Sequence, residues 1–123
     1  MGTPLDGERF VNLESFKKDG GGVKTPVWAA PLDGKLVIFT DGTSYKVKRI
    51  GRNPKVRVAG CDSRGNVHGP WYDGACRILD DAEGPKANAA LRAKYGWVYA
   101  AVDFFSRLSG RAKRRKYLEV TLA

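Results

Sequence analysis

A chain of 123 residues with 42% hydrophobic and 28% charged side chains has the composition of one globular domain, expected to run from residue 1 to 123 without a linker. No stretch approaches the roughly 18 apolar residues of a membrane span, and MGTPLDGERF lacks the basic start and apolar core of a secretory leader, so a cytoplasmic protein without a membrane partner is expected. The net charge of +9 is concentrated: residues 46–57 carry six basic side chains and no acid, and residues 111–116 carry five more, together half of the 22. An anionic ligand is the natural partner of such a distribution.

Phe10 to Phe16 is rich in strand formers, and the turn Lys17-Lys18-Asp19-Gly20-Gly21-Gly22 predicts a returning strand over Val23–Ala30, with Pro26 at an edge or bulge. Asp33-Gly34 is a primed hairpin turn leading into Lys35–Thr40, whose LVIF is the clearest strand signal in the chain. Ser44 is placed to cap a short helix from Tyr45 to about Asn53, which Pro54 stops; Val47 and Ile50 would face the core and Lys48, Arg49 and Arg52 the solvent. Lys55 to Ala59 alternates basic and apolar residues as a half-buried strand does. A turn through Asp62–Asn66 leads to a long strand reaching about Leu79. Helices follow over 83–95 and 97–108, then a last strand over 117–122. Six antiparallel strands with a helix between the third and fourth suit a small barrel, whose closure removes exposed edges.

The strongest chemical signal is TDGTSYKVKRIGRNPKVRV, residues 40–58. Thr40, Thr43 and Ser44 offer hydroxyls, the helix start offers unpaired N–H groups, and Lys46, Lys48 and Arg49 offer charge, a combination that favours a phosphate group. Thr25, Pro26, Val27 and Trp28 can present a flat wall to an aromatic ring or simply fill a core strand. Trp71 and Tyr72 follow Gly69-Pro70, where the chain must bend, and are either a second stacking surface or ordinary strand aromatics. His68, the sole histidine, sits in a polar turn, and no residue is assigned a catalytic role. Cys61 and Cys76 are too few and too far apart for a zinc site, and no metal is expected. The chain has no GxGxxG, P-loop, HExxH, GxSxG or CxxC motif, so redox chemistry would have to come from a bound cofactor.

The series VKTPVWAA, KLVIFT, SYKVKRI, RNPKVRVAGCDSRG and GPWYDGACRILDD resembles the split β-barrel flavin and deazaflavin oxidoreductases, the pyridoxamine-5′-phosphate-oxidase-like proteins. It is most similar to their short, single-domain branch of F-420-dependent enzymes. The likeness covers Phe10–Asp81 strongly and the C-terminal third more loosely. It implies a mainly β fold, a split β-barrel with inserted helices, and a homodimer with the cofactor at the subunit interface. It also implies hydride transfer between coenzyme F-420, a deazaflavin, and an organic substrate, with FMN as the alternative cofactor. By motif position Ser44, Lys46, Lys48 and Arg49 would hold the phosphate, with Asn53 supporting the next turn. Thr25 to Trp28 would lie along the ring system, and Trp71 and Tyr72 would form a wall from the other subunit. Tyr45 departs from the family's usual glycine and threatens to crowd the phosphate turn. Two readings compete: a carrier that binds F-420 without turnover, and a nucleic-acid-binding barrel. The second lacks the aromatics that single-strand binders interleave with their cations.

Overall fold

In a computed structural model of the chain, which describes residues 2–110 and 115–123, the elements follow as β1 (Phe10–Phe16), β2 (Gly22–Val27), β3 (Ala29–Leu32), β4 (Lys35–Asp41), α1 (Tyr45–Arg52), β5 (Lys55–Cys61), β6 (Tyr72–Ile78), α2 (Gly84–Tyr95), α3 (Trp97–Leu108) and β7 (Arg115–Leu122). The strands form one antiparallel sheet in the order β2-β1-β5-β6-β7-β4-β3. Its outermost strands, β2 and β3, are consecutive in the chain with only Trp28 between them. The sheet must therefore curl until its edges meet, and the result is a mainly β split barrel with inserted helices.

Alternation along the strands builds two cores. Val11 and Leu13, Leu36 and Ile38, Val56 and Val58, and Leu118 and Val120 are buried together inside the barrel, where Ile50 of α1 joins them. On the other side of the sheet Ala30, Val37 and Leu79 pack under Ala87 and Leu91 of α2 and Tyr99 of α3. The β3–β4 hairpin turns on Asp33 (φ 54°) and Gly34 (φ 78°), both in the left-handed region that the primed turn requires.

The structure corrects the expected element list in three places. Val23–Ala30 is not one strand: the Trp28 indole leaves the ladder to stack on Tyr95 (ring centroids 4.7 Å apart, 14° between planes), so seven strands replace six. The long strand before Leu79 begins only at Tyr72: beyond the expected Asp62–Asn66 turn only an isolated Cys61–Val67 bridge forms, and Pro70, with no N–H to donate, stands just ahead of β6. The last strand starts at Arg115, paired with Asp41 across β4, rather than at Tyr117.

Arg115 has a second partner. Asp103 of α3 is 3% exposed and points into the molecule, where its carboxylate accepts from Arg115 Nη1 (2.5 Å), Arg107 Nε (3.1 Å) and Arg92 Nη2 (3.3 Å). Burial would raise the Asp103 pKa, but the hydrogen bonds from Arg115 and Arg107 outweigh it and hold the carboxyl below its ordinary value. A depressed carboxyl pKa contributes stability that is present above the unfolded value of about 3.9 and is lost as pH falls through the folded value. Asp103→Ala is therefore expected to cost about 3–5 kcal/mol at pH 7, since it leaves the buried Arg115 charge unanswered. Melting curves of both proteins from pH 7 to pH 3 should converge towards acid; a gap independent of pH would show that Asp103 stabilises through packing alone.

Candidate functional site

α1 begins beside the β2–β3 break, and the two features enclose a cavity of about 330 Å³ lined by Phe10, Pro26, Val27, Trp28, Phe39, Lys46 and Val102. Pro26, Val27, Trp28 and Lys46, all candidates from the sequence, thus meet in one hollow. Its volume is at the lower end of the roughly 300–1,000 Å³ of small-molecule sites.

The polar end of the site is built by the β4–α1 turn. Asp41 Oδ1 accepts from the backbone and hydroxyl of Thr43 (2.8 and 2.7 Å), and Asp41 O accepts from Ser44 N, which sets Ser44 at the N-cap in extended conformation. The Ser44 hydroxyl does not cap the helix as a Ser at this position usually does. Its Oγ is buried without a hydrogen-bonding partner among the described residues, at a helix start where N–H groups and dipole favour an anion. Lys46 Nζ donates to Thr40 Oγ1 at 3.2 Å, so the end of β4 and the first turn of α1 are tied together. Burial, and after it the charge of Arg49, lower the Lys46 pKa from its ordinary value, against a weaker upward pull from Asp41. An anion beside Lys46 would offset the crowding of its ammonium.

The remaining candidates divide. Arg49, expected on the solvent face, turns partly inward and donates from Nε to Ser15 Oγ at 2.9 Å, filling the need of a hydroxyl on a side chain only 1% exposed. Lys48 is exposed, its ammonium 5.4 Å from the Tyr45 ring centroid. Tyr45 itself is 74% exposed, so its phenol does not crowd the turn. Asn53 Oδ1 accepts from Lys55 N and supports the turn after α1, as its motif position implies. Thr25 stands opposite Leu13 on β2 and does not line the cavity. The Trp28 ring is no free wall: it is stacked on Tyr95 and edge-on to Phe39, and only part of it borders the cavity.

Trp71 and Tyr72 are separated from this site and from each other. Tyr72 packs against the barrel interior. Trp71 lies under two cations, Lys24 (5.2 Å) and Arg57 (4.9 Å), which with Glu14 and Asp73 form a row of alternating charge across β2, β1, β5 and β6. Of the second basic cluster, Arg111, Lys113 and Arg114 lie outside the described residues, Arg115 is committed to Asp103, and Lys116 is exposed. Phe10, Phe39 and Val102 are the lining residues that sequence reasoning missed. Phe39 was legible as part of LVIF but not its outward side, and Val102 reaches the cavity only through the packing of α3. A larger hollow of about 550 Å³ lies against α1, β6 and β7, but its rim charges Lys35, Arg77 and Glu119 are paired with one another. Among the described residues no group of three His, Cys, Asp or Glu side chains is placed to hold a metal ion, and no helix is long and apolar enough to cross a membrane.

No protein-family profile matches the chain, and no curated protein matches it in sequence. Solved structures match its fold. The haem storage protein HutZ of Vibrio cholerae is 9% identical with a TM-score of 0.69, over 94% of this chain and 82% of that one. A candidate pyridoxamine 5′-phosphate oxidase from Listeria innocua is 16% identical with a TM-score of 0.62, over 96% and 86%. A FAD-binding protein from Mesorhizobium loti is 19% identical with a TM-score of 0.64, over 96% and 82%. The shared architecture is the split β-barrel, and it hosts flavin-binding, oxidase-like and haem-storing proteins.

The two outer cations of α1 should separate on mutation. Lys48→Ala is expected to leave the melting temperature of the ligand-free protein unchanged. Arg49→Ala should destabilise it by about 1–3 kcal/mol, because Ser15 Oγ is left buried and unpaired. Equal melting temperatures for the two variants in differential scanning calorimetry would contradict the inward placement of Arg49.

Proposed function

We propose that the chain binds a phosphate-bearing flavin-type cofactor, coenzyme F-420 ahead of FMN, and uses it in hydride-transfer oxidoreduction of an organic substrate. The observation that carries this reading is Lys46, in the first turn of α1, lining an apolar hollow bordered by Pro26, Val27 and Trp28, with the Ser44 hydroxyl two residues earlier buried and unpartnered among the described residues. Phosphate would be held by Ser44, Thr40, Lys46 and the first backbone N–H groups of α1, with Arg49 and Lys48 adding charge from either side of the helix. Val27, Trp28 and Phe39 would border the ring and exclude water from it. The preference for F-420 rests on the motif resemblance, and the FAD-binding and oxidase-like neighbours support a flavin-type ligand.

When bound, a reduced deazaflavin supplies a hydride, a two-electron equivalent, and one proton must follow it to the substrate. Neither Tyr45 nor Tyr72 lines the cavity within one chain, and solvent is the proton source in this reading. Haem, which the Vibrio cholerae protein stores, fits less well: His68 does not border the cavity and is paired with Glu8 at 2.7 Å. The cavity in one chain holds only part of such a cofactor, and a second copy of the chain completes the site in this reading.

Fluorescence titration of the purified protein with F-420 and with FMN tests the assignment. F-420 should bind the more tightly. Ser44→Ala and Lys46→Met should each weaken it about tenfold to a hundredfold, as loss of a charge-assisted hydrogen bond does. Stoichiometric FMN with no response to F-420 would replace the cofactor; unchanged affinity in both variants would move the phosphate away from α1.

A further inference from the structure

α3 is amphipathic in the wrong sense for a helix on the surface of a monomer. At about 100° per residue its inward side carries Tyr99 and the ionised Asp103, while Trp97 (80% exposed), Phe104 (58%), Phe105 (65%) and Leu108 (70%) face out. Trp97, Ala101, Phe104 and Leu108 follow one another at intervals of four, three and four, the spacing of a coiled-coil seam. A helical partner, not a disordered surface, is what such a stripe fits.

The stripe is also complementary to itself. The pairs 97–108 and 101–104 share one centre, between residues 102 and 103, so a two-fold axis there sets Trp97 against the partner's Leu108 and Ala101 against the partner's Phe104. A large ring meets the smallest side chain of the seam, as close packing of two copies requires. A parallel arrangement would instead oppose Ala101 to Ala101 and leave a void. It would also bring the two Arg107 side chains together, whereas the antiparallel one separates the helix ends by roughly 18 Å, beyond the screening length of about 8 Å. Aromatic side chains carry about 150–250 Å² each, so the exposed residues of two protomers offer on the order of 1,000 Å² of apolar contact, the core of an ordinary dimer interface.

We infer that the partner which completes the site is a second copy of this chain docked through α3, antiparallel, on the Trp97-Ala101-Phe104-Leu108 seam. The inference rests on the dimer reading above and not on the identity of the cofactor. Val102 ties the two together: it lines the candidate cavity and also a hollow of about 510 Å³ that it shares with Phe105, Ser106, Leu108 and Ser109. A copy seated on α3 therefore reaches the rim of the cofactor cavity.

Sedimentation velocity at micromolar protein tests this. The unmodified chain should be a dimer. Phe104→Glu and Ala101→Phe should each weaken dimerisation by at least about tenfold, while circular dichroism melts remain cooperative because Phe104 is exposed and Ala101 only half-buried. The double variant Ala101→Phe/Phe104→Ala, which exchanges ring and hollow across the axis, should restore the dimer. A monomeric unmodified chain, a dimer indifferent to Phe104→Glu, or a double variant that stays monomeric would overturn the seam. So would a monomer that co-sediments with anionic lipid vesicles, since the face would then be a membrane contact. F-420 titration in parallel keeps the two readings apart, because a seam dimer that ignores the cofactor overturns only the function.

Discussion

The single residue between β2 and β3 governs the rest of the molecule. Strands at opposite ends of a seven-strand sheet cannot be joined by one residue unless the sheet closes on itself, so the barrel is enforced by chain connectivity. The break carries an energetic demand, because Ala29 leaves one ladder before it is secure in the next and its backbone groups need partners. The C-terminal end of α2 meets that demand. Tyr95 OH accepts from Ala29 N at 3.0 Å and lies within donating reach of the Arg9 and Ala29 carbonyls, and Lys94 Nζ donates to the carbonyls of Ala29 (2.6 Å) and Glu8 (2.5 Å). Burial, the largest influence, lowers the Lys94 pKa and raises that of Tyr95 to about 12, so the phenol stays neutral and able to donate. The indole of Trp28, stacked on the same Tyr95, fixes the wall of the cavity by the contact that closes the barrel.

The positive charge has two different physical uses. Around Asp103 it is structural: a buried carboxylate is answered by three arginines, one of them with a side chain only 7% exposed. The Arg115 guanidinium also lies 5.3 Å from the Phe39 ring centroid, so the ion pair reaches the cavity lining. At α1 the charge is not consumed. Among the described residues Lys46 donates to the neutral Thr40 hydroxyl, Arg49 to Ser15, and Lys48 lies over an aromatic face. Cations bonded to neutral groups retain most of their attraction for an anion, and in that respect α1 differs from Arg115.

Much of the barrel was legible from strand-forming composition and turn signals. β1 and α3 occupy the spans expected of them, and the Asp33-Gly34 turn has the geometry its sequence demands. What periodicity could not show was a change of partner inside a continuous extended segment: Thr25 to Ala30 reads as one strand, and only the position of Tyr95, 67 residues beyond Trp28, reveals the break. The same limit applies to the site. Ser44 and Lys46 were visible as a hydroxyl and a cation at a helix start. Whether Arg49 faced solvent depended on Ser15, a strand residue 34 positions away. Trp71 looked like a free aromatic because its two cations come from β2 and β5, distant in sequence.

α3 connects these themes, since its two faces invert the usual rule and each for a stated reason. Its inward face is polar because Arg115 must be neutralised where β7 begins, and a carboxylate on the neighbouring helix is the group that reaches it. With that face spent on an ion pair and on Tyr99, whose hydroxyl donates to Asn88 Oδ1 at 2.5 Å, most of the helix's large apolar side chains are left outside. Water opposes that arrangement more strongly than any surface ion pair favours it, because each exposed large ring forgoes roughly 1.5–3 kcal/mol of burial. Val102 sits at the edge between the two faces, beside the cavity that Lys46 and Trp28 border. The helix that neutralises the core arginine thereby supplies one wall of the candidate cavity and the apolar surface next to it.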